Sequence, residues 1–119
     1  MSDKGKMLIV DDDPHIRRLL KIYLRPCGYQ ILEAATGEEA TTQFEQNEFA
    51  VILLDLILPH FGGFTLCQKF KAGADPTPRV IIISGEDSPE TRTMAEECGA
   101  DDFLAKPFTA DQILAKIGS

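Results

Sequence analysis

Residues 7–13 read Met7-Leu8-Ile9-Val10-Asp11-Asp12-Asp13, four apolar side chains in a row followed by three carboxylates. A strand with one wet face alternates apolar and polar residues. A short unbroken apolar run instead suits a strand buried on both faces, as the strands of a parallel sheet are. Three more runs follow: Val51-Ile52-Leu53-Leu54, Val80-Ile81-Ile82-Ile83 and the weaker Phe103-Leu104-Ala105. Gln30 to Ala34 is a fifth, less regular strand candidate.

Helical signals with recognisable ends lie between these runs. Asp13 caps a helix that has Pro14 at its first position and carries Ile16, Leu19, Leu20, Tyr23 and Leu24 at helical spacing; Pro26 and Gly28 stop it. Thr36 with Glu39 makes a capping box that opens a helix through about Gln46. Gly62-Gly63 and Gly73 bracket a third helix around Phe64, Leu66, Cys67 and Phe70. Ser88-Pro89 starts a fourth that ends at Gly99, and Thr109 with Gln112 opens a fifth carrying Ile113, Leu114 and Ile117. Strand and helix alternate five times, the pattern of a parallel sheet sandwiched by helices.

The whole chain, residues 1–119, reads as one domain. Its 119 residues are 44% hydrophobic and 26% charged, with 12 Lys plus Arg against 19 Asp plus Glu and a net charge of -7. That is enough chain for its own core, without the glycine and proline load of collagen or low-complexity disorder. The acidic balance argues against nucleic acid or an anionic membrane as partner, since both reward clustered Lys and Arg. A cation fits better. No apolar run is long enough to span a bilayer, and the polar start Met1 to Lys6 has no apolar signal core behind it, so a cytoplasmic location is expected. Cys27, Cys67 and Cys98 form no CxxC pair and read as small hydrophobes.

The chemistry sits where the strands end. The first run closes on Asp11-Asp12-Asp13, the second major run on Asp55, the next on Ser84 and the last on Lys106-Pro107. Any one of these is explained as a cap or turn residue, and Asp13 is such a cap. As a set they converge, because open parallel sheets bind ligands at the carboxyl ends of their strands. Asp11, Asp12 and Asp55 held together repel one another, and clustered carboxylates suit Mg²⁺, with Mn²⁺ as a substitute. A metal there would balance charge on a phosphoryl group, one carboxylate could act as nucleophile, Lys106 could supply a fixed positive charge and Ser84 a hydroxyl donor.

These residues resemble the receiver domain of two-component response regulators. The resemblance is carried by the acidic cluster after the first strand, by Asp55-Leu56-Ile57-Leu58-Pro59 leading to Gly63, by Ser84-Gly85, and by Gly99-Ala100-Asp101-Asp102-Phe103-Leu104-Ala105-Lys106-Pro107-Phe108. It covers nearly the whole chain in the right order. It implies an α/β, flavodoxin-like, doubly wound sheet of five parallel strands in order 2-1-3-4-5 with five helices, the order known for flavodoxin and chemotaxis receivers. It implies that Asp55 accepts a phosphoryl group from a sensor histidine kinase or a histidine phosphotransfer protein. Asp12 and Asp55 would ligate Mg²⁺ directly, Asp11 largely through water, and the Ile57 carbonyl would complete the protein ligands. Ser84 and Lys106 match the residues that contact the phosphoryl group, and Phe103 matches an aromatic position that swings inward when the hydroxyl is drawn to it. A cis Lys106-Pro107 bond also follows from the resemblance. So does an output protein or appended output domain, reached through the helix 4, strand 5, helix 5 face that receivers commonly use for partners or homodimers. Such a domain catalyses its own phosphorylation and dephosphorylation and is not a conventional turnover enzyme.

The chain departs from the family pattern in places. Gly62 stands where many members carry Asp, Ser84 where many carry Thr, and Gly85 replaces a frequent Ala, leaving access to the phosphoryl group open. His15 and His60 read as exposed helix and loop residues without a role. Two other functions compete. A small phosphatase of the haloacid dehalogenase type would use Asp11 as nucleophile within Asp11-x-Asp13, but the Thr expected two residues on is missing. A flavodoxin-like mononucleotide binder fails at the first loop, where three carboxylates would repel a phosphate. The whole protein is either a stand-alone receiver or part of a longer regulator.

Overall fold

The run that opens the sequence becomes the middle of a sheet. β1 (Lys6–Val10) pairs in parallel with β2 (Gln30–Ala34) on one side and β3 (Phe49–Asp55) on the other. Beyond β3 come β4 (Arg79–Ser84) and β5 (Asp102–Ala105), also parallel. The spatial order is therefore β2-β1-β3-β4-β5, as the resemblance implies. A computed structural model of the chain describes residues 4–58, 61–73 and 77–118; Pro59 and His60 lie outside the described residues.

Both faces of the sheet are covered, which is why its central strands show no alternation. Leu8, Val10, Ile52, Leu54, Val80 and Ile82 pack toward α2 (Gly37–Gln46), α3 (Gly63–Lys71) and α4 (Pro89–Glu97), with Ala40, Leu66, Phe70 and Ala95. Met7, Ile9, Val51, Leu53, Ile81 and Ile83 pack toward α1 (Pro14–Leu24) and α5 (Ala110–Ile117), with Leu20, Leu24, Ile113 and Ile117. Neighbours along each strand thus serve opposite cores. Cys67 and Cys98 are buried among the apolar side chains, and burial pushes the Cys67 thiol far up from its ordinary pKa, as an inert core cysteine requires. Cys27 is half-buried.

The helix starts follow their caps. The Asp13 carboxylate accepts from the His15 N–H ahead of Pro14, Ser88 accepts from Thr91 N–H ahead of Pro89, and Thr109 with Gln112 forms a complete capping box. The box expected at Thr36 is only half made. Thr36 accepts from Glu39 N–H, but the Glu39 carboxylate takes the N–H of Ala35, one residue before the cap. Pro26 lies in a 3-10 turn, Arg25–Cys27, that tightens the end of α1 before Gly28 reverses the chain at φ +88°. Lys106-Pro107 is cis.

One element has no counterpart in the sequence reading. After β3 a short antiparallel ribbon pairs Ile57–Leu58 with Phe61–Gly62, and the Gly63 N–H then donates to the Leu56 carbonyl at 2.9 Å. The start of α3 is thereby pressed against the chain just after Asp55. A methyl group on Gly63 would stand 2.5 Å from Leu56 Cα and 2.6 Å from the Asp55 carbonyl oxygen, both backbone atoms. Gly63→Ala should therefore lower stability by about 1–3 kcal/mol, the usual range for overpacking. Gly73→Ala, where an added methyl meets nothing within 4 Å, serves as the comparison. Urea denaturation of the two variants checks it; an equal effect would show that the contact at Gly63 is not binding.

Candidate active site and metal centre

The register of β1 and β3 sets Val10 beside Leu54, so Asp11, just past the end of β1, and Asp55, the last residue of β3, are neighbours. One carboxylate oxygen from each of Asp11, Asp12 and Asp55 lies within 4.8 Å of the others. Asp11 and Asp55 are buried, at 2% and 6% exposure, while Asp12 is exposed. The position between β1 and β3 is also where the strand order reverses, the place at which such sheets bind ligands.

Lys106 reaches into this cluster from the end of β5. Its ammonium donates to Asp11 Oδ2 at 2.9 Å and to Asp55 Oδ2 at 3.3 Å. Burial works against its charge, but the two carboxylates more than offset that, and its pKa lies above the ordinary lysine value. The other Asp11 oxygen accepts from the Asp13 N–H at 2.9 Å. Asp12 has no ion pair among the described residues.

Three carboxylates against one ammonium leave an excess of two negative charges in the pocket. At an effective dielectric of about 20, two unit charges some 5 Å apart interact by roughly 3 kcal/mol, well above a typical exposed ion pair. A divalent cation matches both the charge and the oxygen donor set. The residues present therefore fit a hard dication.

Ser84 ends β4 fully buried, with its Oγ accepting from the Glu86 N–H at 3.0 Å. Its carbonyl accepts from the Lys106 N–H at 2.7 Å, which ties the ends of β4 and β5 together and sets the hydroxyl residue beside the lysine. Next to it, Gly85 would place a Cβ with nothing within 4 Å. Phe103, by contrast, is not part of the carboxylate cluster. Its ring is 9% exposed and belongs to the core on the α4 side, with the Arg92 guanidinium 4.6 Å from its centroid and held there by Asp87. Ile57 sits in the ribbon, two residues after Asp55. His15 is exposed on α1.

Sequence reasoning missed Arg17. Its Nη1 donates to the Asp11 carbonyl at 2.6 Å and its Nε to Glu33 Oε1 at 3.0 Å. Lys21 donates to the other Glu33 oxygen at 2.7 Å, and Lys21 first, then Arg17, holds the Glu33 carboxyl below its ordinary pKa against the cost of burial. An arginine on the first turn of an amphipathic helix reads as solvated surface, and nothing in a one-dimensional pattern reports a bond to a backbone carbonyl.

Comparison with known proteins agrees with this geometry. The family model for the response regulator receiver domain matches residues 7–118. Transcriptional regulatory protein SrrA of Staphylococcus aureus is 38% identical over 113 residues, covering 95% of this chain and 46% of that protein. The chain spans about half the length of the curated relatives it matches. Among solved structures, a receiver domain protein from Methanospirillum hungatei is 33% identical with a TM-score of 0.86, covering 95% of this chain and 90% of that one. A Burkholderia pseudomallei response regulator, solved with a phosphorylated aspartic acid and a calcium ion, is 28% identical with a TM-score of 0.85 over 100% of this chain and 68% of that one. The family model, the sequence match over nearly the whole of this chain and the shared fold agree: this chain belongs to the response regulator receiver domain family.

Proposed function

We propose that Asp55 is the phosphoacceptor of this receiver and that a sensor histidine kinase or histidine phosphotransfer protein is the donor. The observation that carries the reading is the Lys106 ammonium shared by Asp11 and Asp55 beside a third carboxylate, at the carboxyl edge of the sheet. An Asp55 oxygen attacks the phosphorus of the phosphohistidine, the P–O bond forms as the P–N bond breaks, and the imidazole leaves with the electron pair. Lys106, already 3.3 Å from Asp55 Oδ2, takes up the negative charge of the incoming phosphoryl oxygens. Ser84 Oγ accepts from the Glu86 N–H, so its own proton is available to a phosphoryl oxygen.

Asp12, Asp55 and the Ile57 carbonyl would hold Mg²⁺, or Mn²⁺ in its place, with Asp11 acting through water. That ion would supply charge balance to the phosphoryl oxygens. The calcium ion and phosphorylated aspartic acid of the Burkholderia pseudomallei relative support this assignment. The open space above Gly85 admits water, which reverses the modification.

Drawing Ser84 toward the phosphoryl group pulls on the β4–β5 end, and Phe103 responds from beneath Arg92. We assign the readout to the face of α4, β5 and α5, where Met94 is exposed and Asp102 binds Lys116 and Arg79. An output protein, an appended output domain or a second copy of the chain would meet it there. A cytoplasmic location accompanies this reading; no helix among the described residues is long and apolar enough to cross a membrane. The dehalogenase-type reading is set aside: the chain matches the receiver family, and the Asp11 carboxylate is buried and committed to Asp13 and Lys106.

Two measurements test the site. With Mg²⁺ and a small acyl phosphate donor, the parent chain should gain the mass of one phosphoryl group and Asp55→Asn should gain none. Equal modification of both would move the nucleophile elsewhere. In chelator, Asp12→Ala should raise unfolding stability by a few tenths to about 1 kcal/mol, because it relieves exposed repulsion. Lys106→Met should lower it by about 1–3 kcal/mol, because it strands two buried carboxylates; the partial exposure of Lys106 keeps this below the fully buried case. Chemical denaturation of both variants would show it, and a loss of stability in Asp12→Ala would contradict the crowded pocket.

A further inference from the structure

The three carboxylates are restrained very unequally. Asp11 is fixed at every polar atom. Its N–H donates to the Ala34 carbonyl at 3.1 Å, its carboxylate is held by Asp13 N–H and Lys106, and its carbonyl accepts from Arg17. Asp55 is buried at the end of β3 with Lys106 on it. Asp12 is exposed, and its side chain makes no hydrogen bond or ion pair among the described residues. Its carboxylate stands within 4.8 Å of the other two only because the backbone delivers it there.

Among the described residues, one side chain holds the peptide that leads into Asp12. The Asp11 carbonyl and the Asp12 N–H belong to the same planar peptide unit, so whatever fixes the carbonyl fixes the direction in which Asp12 leaves β1. Arg17 fixes it, at 2.6 Å, from the first turn of α1. The guanidinium is itself aimed by Glu33 on β2, and Glu33 is steadied by Lys21. The Arg17 side chain is 16% exposed, so this bond is largely sheltered from competing water.

We infer that Arg17 is a positioning residue for the divalent-cation site, setting the Asp11-Asp12 peptide so that the Asp12 carboxylate stands ready beside Asp11 and Asp55. The inference rests on reading the pocket as a cation site. Arg17 touches neither the phosphoryl group nor the metal. Its planar fork serves two acceptors at once, Glu33 and the Asp11 carbonyl, and the single nitrogen of a lysine does not reproduce that.

The sign of the effect separates positioning from electrostatics. Arg17 is a positive charge near a cation site, so if charge alone mattered, Arg17→Ala would tighten cation binding. If it positions Asp12, the same variant weakens binding, and Arg17→Lys, which keeps the charge, weakens it too.

The experiment titrates Mn²⁺ into the full chain by calorimetry, for the parent, Arg17→Ala, Arg17→Lys and Arg18→Ala, an exposed neighbour outside the site. Both Arg17 variants should bind about tenfold more weakly, the scale on which groups that orient metal ligands act. Arg18→Ala should stay within about twofold of the parent. Phosphorylation by an acyl phosphate should then need about tenfold more metal for half its maximal rate in Arg17→Lys, with the maximal rate at saturating metal little changed. Tighter or unchanged Mn²⁺ binding in the Arg17 variants, with normal binding by the parent, overturns the inference alone. A maximal rate that falls while the half-saturating metal concentration stays put overturns it as well. A parent chain that binds no Mn²⁺ overturns the cation-site reading and this inference together. Arg17→Lys, the milder substitution, keeps the test usable should Arg17→Ala fold poorly, with circular dichroism confirming the fold of each.

Discussion

A single ammonium lies between two buried carboxylates at the carboxyl edge of the sheet, and most of the molecule is arranged to make that possible. Asp11 and Asp55 at 2% and 6% exposure are costly residues to bury, and Lys106 is the nearest balancing charge. The lysine comes from β5, while the acids come from β1 and β3, so no local segment of chain could assemble the group. Only the completed sheet brings these strand ends together. The charge excess that remains explains why a pocket so well held still calls for a dication.

The sheet supplies this precision through burial on two sides. Each central strand sends alternate residues into separate cores, so a slip of one residue would exchange the partners of every side chain. The register Val10 beside Leu54 is thereby locked, and with it the adjacency of Asp11 and Asp55. The same logic ties the other half of the site. Ser84 pairs with Ala105 and accepts the Lys106 N–H through its carbonyl, so the backbones that carry the hydroxyl and the ammonium are tied together. A group that draws on Ser84 acts on the backbone that carries Lys106.

Much of this could be read in the sequence, for physical reasons. Unbroken apolar runs mark doubly covered strands, and caps such as Asp13-Pro14 and Ser88-Pro89 mark helix starts, because both signals are local and chemically specific. Even α3, whose sparse apolar set needed the glycines on either side to mark it as a helix, forms with Leu66, Cys67 and Phe70 buried. Asp11, Asp12, Asp55, Ser84 and Lys106 stood out as a set because strand ends are where a parallel sheet gathers its chemistry. What the sequence did not show are contacts that no motif or periodic pattern encodes. The ribbon at Ile57–Leu58, the close approach of Gly63 to Leu56, the Glu39 bond to Ala35 and the Arg17 bond to Asp11 leave no periodic trace. Arg92 over Phe103 is of the same kind, since a charged residue on an acidic helix face reads as solvated surface.

The pocket also couples stability to its ligand. Without a dication the carboxylates repel and the folded state carries that cost; with one, the same residues add to stability by an amount that grows with ion concentration relative to its dissociation constant. A site whose acids were spread apart would be more stable empty and would concentrate a cation less well. The unequal restraint of the three acids fits this tension. Asp11 and Asp55 are fixed where Lys106 can balance them, and the one carboxylate left exposed is the one that can meet the ion while it is still hydrated. A metal that keeps several waters is taken up with least rearrangement from that side. The pocket's open side thus goes with its charge: among the described residues Lys106 is the one ammonium in the cluster, Asp11 and Asp55 share it, and the third acid is the exposed one.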